Sequence, residues 1–256
     1  MFRLVDTHCH LDGVKYLDTA IAEASNAGVV AIIAVGTGYD SNQKILEISN
    51  KYGNLVYPAL GLDPWQLGHI NPQEVERTLL QIEENIKQVA AVGEVGLDYS
   101  KGVKSLVSKD CQQAVFRDLL ALAAKHKKPV SIHSRYSWKD ALAQTVAAGV
   151  KKAVFHWFTG PSGVLQDIIA RGYFVSITPA VEYHAEQRRV VAETPPANLL
   201  LETDSPVEYG RESRYVSAPA DVRRVLKAVS EIKGMDEAAL AEYTTRNALN
   251  LFSIDV

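Results

Sequence analysis

The chain has 256 residues, 47% apolar and 22% charged, with a net charge of −3; this suits a globular protein without global attraction for nucleic acid, so a polyanionic substrate would need local charges or metal to hold it. No apolar run reaches the ~18 residues of a membrane span. The N-terminus lacks the basic flank and long apolar core of a secretion signal, and the two cysteines, Cys9 and Cys111, lie too far apart to suggest a disulfide framework. Together these features point to a cytoplasmic, reducing location. Along the chain, a strand is predicted over 2–7 (FRLVDT), then a helix over 16–26 that stops at Gly28. Strands over 29–35 (VVAIIAV) and 55–60 (LVYPAL) follow, then a helix over 73–87 and a strand over 89–94 (VAAVGE). Helices over 109–126, 138–148, 164–170 and 184–193 alternate with strands over 129–133, 152–156, 173–177 and 198–202, and helices over 221–231 and 237–247 close the chain.

Most of these strands are continuous apolar runs, as expected for strands covered on both faces. Strands alternating with helices imply a parallel sheet, and eight of them favour a (β/α)8 TIM barrel over an open doubly wound sheet. No Gly-rich dinucleotide fingerprint follows the first strand, and no linker or composition break appears, so residues 1–256 are read as one α/β domain.

His8 and His10 fall at the end of the first predicted strand, Glu94 at the end of the fourth, His133 and His156 at the ends of the fifth and sixth, and Asp204 just after the eighth. In a barrel all six converge on the C-terminal mouth, where barrel enzymes place their chemistry. Residues i and i+2 of a strand point the same way, so His8 and His10 can share one cation while Cys9 turns away to pack beneath a helix. An isolated H-x-H fits a polar strand end equally well; the downstream partners make the case for metal. Four imidazoles and two carboxylates suit Zn, Mn, Fe, Co or Ni, with Mg admissible, and a carboxylate midway round the ring can bridge two ions.

The blocks DTHCHLD, GEVGLDY, PVSIHSR, HWFTG and LLLETDSP, in this order, resemble the TatD-type metal-dependent deoxyribonucleases of the amidohydrolase-like barrels. The likeness covers nearly the whole chain, and TTRNALNLF near its end looks like the family's last helix. The resemblance implies two divalent ions: one on His8 and His10, the second on His133 and His156, with Glu94 bridging and Asp204 acting as ligand and general base. It implies hydrolysis of DNA phosphodiesters, often from single-stranded ends, and no membrane. No protein partner can be inferred.

The chain departs from the family pattern at Gly61-Leu62-Asp63-Pro64, where a histidine is usual in place of Asp63. A carboxylate facing the substrate would repel a phosphodiester, unless it is protonated or binds metal. Ser176-Ile177-Thr178-Pro179 and Ser217-Ala218-Pro219 also depart, so a metal hydrolase of a small ester, lactone or amide is the alternative. Arg135 is the best phosphate contact, with a surface salt bridge as its ordinary role. Trp65, Tyr99, Trp157 and Phe158 sit in mouth loops, where they could stack bases or simply pack. Arg211 and Arg214 could guide a strand end, and His69 could reach back or be a solvated loop residue. The lysines of 125–128 and 151–152 precede strands and so belong to the opposite face.

Overall fold

The computed structural model describes residues 2–256. Eight parallel strands form one sheet in sequential order: β1 Leu4–Cys9, β2 Val29–Val35, β3 Val56–Leu62, β4 Ala91–Gly96, β5 Val130–His133, β6 Ala153–Phe155, β7 Phe174–Ile177 and β8 Leu199–Leu201. A bridge between Cys9 and Ser205 joins the end of β1 to the segment after β8 and brings the sheet round into a barrel. Helices alternate with the strands: α1 Leu17–Asn26, α2 Tyr39–Lys51, α3 Pro64–Leu67, α4 Pro72–Glu84, α5 Lys101–Leu106, α6 Lys109–Lys125, α7 Trp138–Ala147, α8 Ser162–Ala170 and α9 Ala185–Glu193. A short hairpin, β9 Glu208–Tyr209 with β10 Tyr215–Val216, precedes α10 Val222–Lys233 and α11 Glu237–Phe252. The architecture is a (β/α)8 barrel. No described helix is long and apolar enough to cross a membrane.

Apolar side chains divide into two layers. Leu4, Ile32, Leu60, Val92, Ile132, Phe155, Val175 and Leu201 face the helices. Val5, Ala31, Ile33, Ala59, Ala91, Val154 and Leu200 pack inside the barrel, closed at the bottom by Leu251 and Phe252 of α11. The small residues at the interior of β2, β3 and β4 leave room beneath the mouth. Two register shifts then matter. One lies between Asp6 and Cys9 of β1, the other between Val92 and Val95 of β4. Strict alternation would send His8 outward once Val5 points in; the shift lets both face the interior. The same irregularity lets Glu94 follow Ala91 into the barrel. Bulges of this kind re-aim side chains beside active sites.

The structure moves several expected boundaries. β1 and β4 each run two residues further than the sequence indicates, so His8 and Glu94 lie within strands rather than at their ends. Helix α2 is absent from the sequence reading because its buried face includes Asn42 and Ser49 beside Ile45 and Leu46, which breaks the apolar stripe. Asn42 is an internal clamp: it donates to the Gly61 carbonyl and to Gln81 Oε1, and accepts from the Gly61 amide. The one-turn and short helices α3 and α5 and the β9–β10 hairpin are likewise additions.

Candidate metal centre

His8 and Glu94 lie in β1 and β4, His133 ends β5, and His10, His156 and Asp204 stand just after β1, β6 and β8; all six meet at the C-terminal mouth. Glu94 is the centre of the arrangement. Its Oε1 lies 2.8 Å from His133 Nδ1 and 2.8 Å from His156 Nε2. Its Oε2 lies 3.5 Å from His8 Nε2 and 3.4 Å from His10 Nε2. Asp204 Oδ1 completes the second side, 3.6 Å from His8 Nε2 and 3.2 Å from His10 Nε2. The donors thus fall into three overlapping groups, His8–His10–Asp204, Glu94–His133–His156 and, deeper in the barrel, His8–His156–Glu202, each with atoms close enough to share an ion.

The donor chemistry fits divalent metal. Ligands about 2.0–2.1 Å from a tetrahedral ion stand roughly 3.3–3.5 Å from one another, close to the spacings around Glu94 Oε2 and Asp204 and to the 3.3 Å between His133 Nδ1 and His156 Nε2. His8 Nε2 and Asp204 Oδ1 are buried with no hydrogen-bond partner, a costly state that a cation would relieve.

Asp204 and Trp157 take left-handed backbone angles, φ 48° and 41°, at the turns that follow β8 and β6. Non-glycine residues held there carry strain that surrounding contacts must hold in place. For Asp204 the contacts are its amide on the His8 carbonyl at 2.9 Å, and its neighbour Thr203, whose amide and hydroxyl both donate to the buried Asp6 carboxylate at 2.9 and 2.6 Å. For Trp157 the contact is its amide on Glu202 Oε1 at 2.8 Å.

Electrostatics follow from this crowding. Burial alone would raise the Glu94 carboxyl, but His156, His10 and His133 outweigh it and hold Glu94 well below the usual range. Burial opposes charge on His10, yet Asp204 and Glu94 raise it well above an ordinary histidine. His133 rises to about 9: burial resists, while Asp98 and Glu94 prevail. His156 is also raised, by Glu94 and Glu202 against its burial. His8 is lowered by burial and by His156, whose ring stacks on it at 3.9 Å. Burial would likewise raise Asp204, but His10 and His8 hold it down.

A cavity of about 730 Å³ opens from Glu94 and Asp204, walled by Arg135, Tyr136, Trp138, Trp157 and His184. Arg135 is exposed, lies over the Tyr136 ring at 5.7 Å, and has no carboxylate partner among the described residues. Asp63 does not line this cavity. Its Oδ1 caps α3 by accepting the Gln66 amide at 2.7 Å; burial and the nearby Glu94 charge push its carboxyl to about 7. Tyr99 and Phe158 are buried packing residues, whereas Trp65 is exposed beside His69. Arg214 pairs with Glu208 across its own hairpin, and Arg211 donates to the Tyr183 carbonyl in the segment after β7. Cys9 is buried against the Ser205 carbonyl, facing the outer layer. Asp12 accepts from Ser41 and ties the first loop to α2. Lys125, Lys128 and Lys152 are engaged with Glu83, Val89 and Asn250 at the helix ends.

Two carboxylates escaped the sequence reading. Asp98 Oδ2 is 3.0 Å from His133 Nε2, and Glu202 Oε1 is 3.7 Å from His156 Nδ1. Both stand inside the quoted motifs. For Glu202 a signal was present: it follows Leu200 by two, so alternation alone turns it into the barrel.

A parallel barrel with imidazoles and carboxylates gathered at its C-terminal mouth has the architecture of the metal-dependent barrel hydrolases. The family model for TatD related DNase matches residues 5–253, and the chain belongs to that family. It is 32% identical to human deoxyribonuclease TATDN3 over 262 residues, covering 97% of this chain and 94% of that one. It is 30% identical over 260 residues to YabD of Bacillus subtilis, described as an uncharacterized metal-dependent hydrolase, covering 98% of this chain and all of the other. The crystal structure of the Escherichia coli TatD homolog YjjV superposes with a TM-score of 0.89 at 27% identity, covering 99% of both chains.

Proposed function

We propose that this chain is a divalent-metal-dependent deoxyribonuclease that hydrolyses DNA phosphodiesters from single-stranded ends in the cytoplasm. Family membership supports DNA as the substrate, and the free thiols Cys9 and Cys111 suit a reducing compartment. The observation that carries the reading is Glu94, whose two oxygens face two separate imidazole pairs. In this assignment His8, His10 and Asp204 would hold one ion and His133 and His156 the other, with Glu94 within reach of both. Bound divalent ions, of the Zn, Mn, Mg, Co, Ni or Fe kind, supply charge to the phosphoryl oxygens and acidify water.

The chain's own residues do the rest. Asp204 accepts the proton of the attacking water at its carboxylate. Arg135, unpaired at the rim, meets a phosphate oxygen. Trp157 offers a face for a base beside the reacting bond, which would contribute about 1–3 kcal/mol to binding. Asp63, tied to its helix cap, is a weak repulsive charge to one side of the path.

Reconstituted protein is expected to shorten end-labelled single-stranded DNA, with Asp204→Asn lowering kcat about 10²–10⁴-fold. Turnover of a chromogenic ester or lactone with no shortening of DNA under Mg, Mn, Co or Zn would assign the small-substrate alternative instead.

A further inference from the structure

The imidazoles of the two ion positions are backed by different groups. His8 Nδ1 meets the Ser131 hydroxyl at 3.1 Å. On the other side, His133 Nε2 meets Asp98 at 3.0 Å, while His156 Nδ1 has no hydrogen-bond partner and lies 3.7 Å from Glu202, within reach of its charge. The two carboxylates are themselves fixed. Asp98 Oδ1 accepts the Ser100 amide at 2.7 Å, and Glu202 Oε1 accepts the Trp157 amide at 2.8 Å. Glu202 is wholly buried, its Oε2 has no hydrogen-bond partner, and among the described residues its one cationic neighbour within 4 Å is His156. A buried carboxylate with so little compensation is costly; beyond the Trp157 amide, what it meets is His156.

We propose that Asp98 and Glu202 are positioning residues that select the second ion: they decide whether the His133–His156 position is filled, and so whether the enzyme works with one ion or two. This rests on the metal-centre reading above. A carboxylate on the remote N–H of an imidazole fixes its tautomer and orientation and makes the facing nitrogen a stronger donor, while a hydroxyl orients without adding charge. With an ion bound, Asp98 would leave Nδ1 of His133 as the donor atom, and Glu202 would favour Nε2 of His156. Both nitrogens converge on Glu94 Oε1. Neither carboxylate is paired with His10 or Asp204, although Glu202 comes within 4.8 Å of a His8 nitrogen, which makes Asp98 the cleaner probe.

The test measures zinc binding against a chromogenic chelator, without substrate. In a His10→Asn background, which leaves the His133–His156 position complete, Asp98→Asn and Glu202→Gln are each expected to raise the dissociation constant about 10–100-fold. In a His133→Asn background the same two substitutions are expected to leave the His8–His10 position within about threefold. Should either background bind no zinc, the single substitutions in the full chain give the answer: one equivalent bound where the parent takes two. Unchanged affinity in the first background, or equal losses in both, would overturn the assignment, the second outcome marking general loosening of the mouth. If the full parent chain binds no zinc, it is the metal-centre reading that fails.

Discussion

Metal loading is expected to expel protons. In the metal-free protein the carboxylates of Asp98 and Glu94 overcome burial and lift His133 to about 9, and His10 and His156 are raised too, against their own burial, by Asp204, Glu94 and Glu202. With its pKa at about 9, the His133 ring is imidazolium at pH 7, so its Nδ1, which faces Glu94, carries a proton that a cation must displace; the raised His10 and His156 act in the same direction. Each displaced proton makes apparent affinity rise about tenfold per pH unit until that ring's pKa is reached. His133 alone therefore predicts about 100-fold tighter zinc binding at pH 8 than at pH 6, and any proton displaced from His10 or His156 steepens the slope. Chelator competition across that range reads the slope. Calorimetry in two buffers of different ionisation enthalpy counts the protons. The same linkage acts on folding. A histidine whose folded pKa is raised contributes stability in full below about 6.5 and loses it as pH rises through about 9. For His133 this is on the order of 3 kcal/mol, so the Tm of metal-free protein should fall between those values while that of loaded protein does not. Affinity flat from pH 6 to 8, with heats indifferent to buffer, would refute the charged ring and the pairing that produces it.

Gly61→Ala should disable the site through its neighbour, because an added Cβ would stand 2.1 Å from the Glu94 carbonyl oxygen and 2.5 Å from its amide nitrogen; the expected result is loss of bound metal together with a lowered Tm, and normal metal content would count against it. Asp63→Ala removes the cap on α3 and should cost about 1 kcal/mol in denaturant unfolding. Asp63→His tests the position against the family pattern: a gain in DNA cleavage would mean that side chain reaches the substrate path, and unchanged cleavage with the same stability loss would confine Asp63 to capping.

The barrel was legible because its strands are buried on both faces and read as apolar runs, and because their ends punctuate the chain with His, Glu and Asp. The boundaries of β1 and β4 were not legible. Their register shifts come from pairing with β2 and β5, and nothing local in the sequence announces a partner's register. Helix α2 was hidden because Asn42 buys a three-way hydrogen-bond clamp instead of apolar contact. Asp98 escaped because its meaning depends on His133, 35 residues away in sequence and 3.0 Å away in space. Asp63 shows the same limit: its sequence neighbours suggest a substrate wall, and only the backbone geometry adds that its carboxylate caps α3.

One structural relation connects the fold to the site. The barrel closes where β8 meets β1, and the atoms that close it belong to the residues that would hold the first ion. The Asp204 amide donates to the His8 carbonyl at 2.9 Å, the His10 amide donates to the Ser205 carbonyl at 2.8 Å, and the Thr7 hydroxyl donates to the Leu201 carbonyl at 3.0 Å. Asp6, two residues before His8, holds Thr203, immediately before Asp204. A slip of one residue along this seam would move Asp204 by about 3.3 Å, comparable to the full spacing between its carboxylate and the two imidazoles. The first ion position therefore exists only when the seam is in register. A cation bound there would in turn cross-link the first and last strands of the barrel, where among the described residues the ladder itself offers a single bridge. The buried polar cluster of Asp6, Thr203 and Asp204 is thus a register device beside the candidate metal centre, which accounts for a fully buried carboxyl at Asp6 that does not line the cavity.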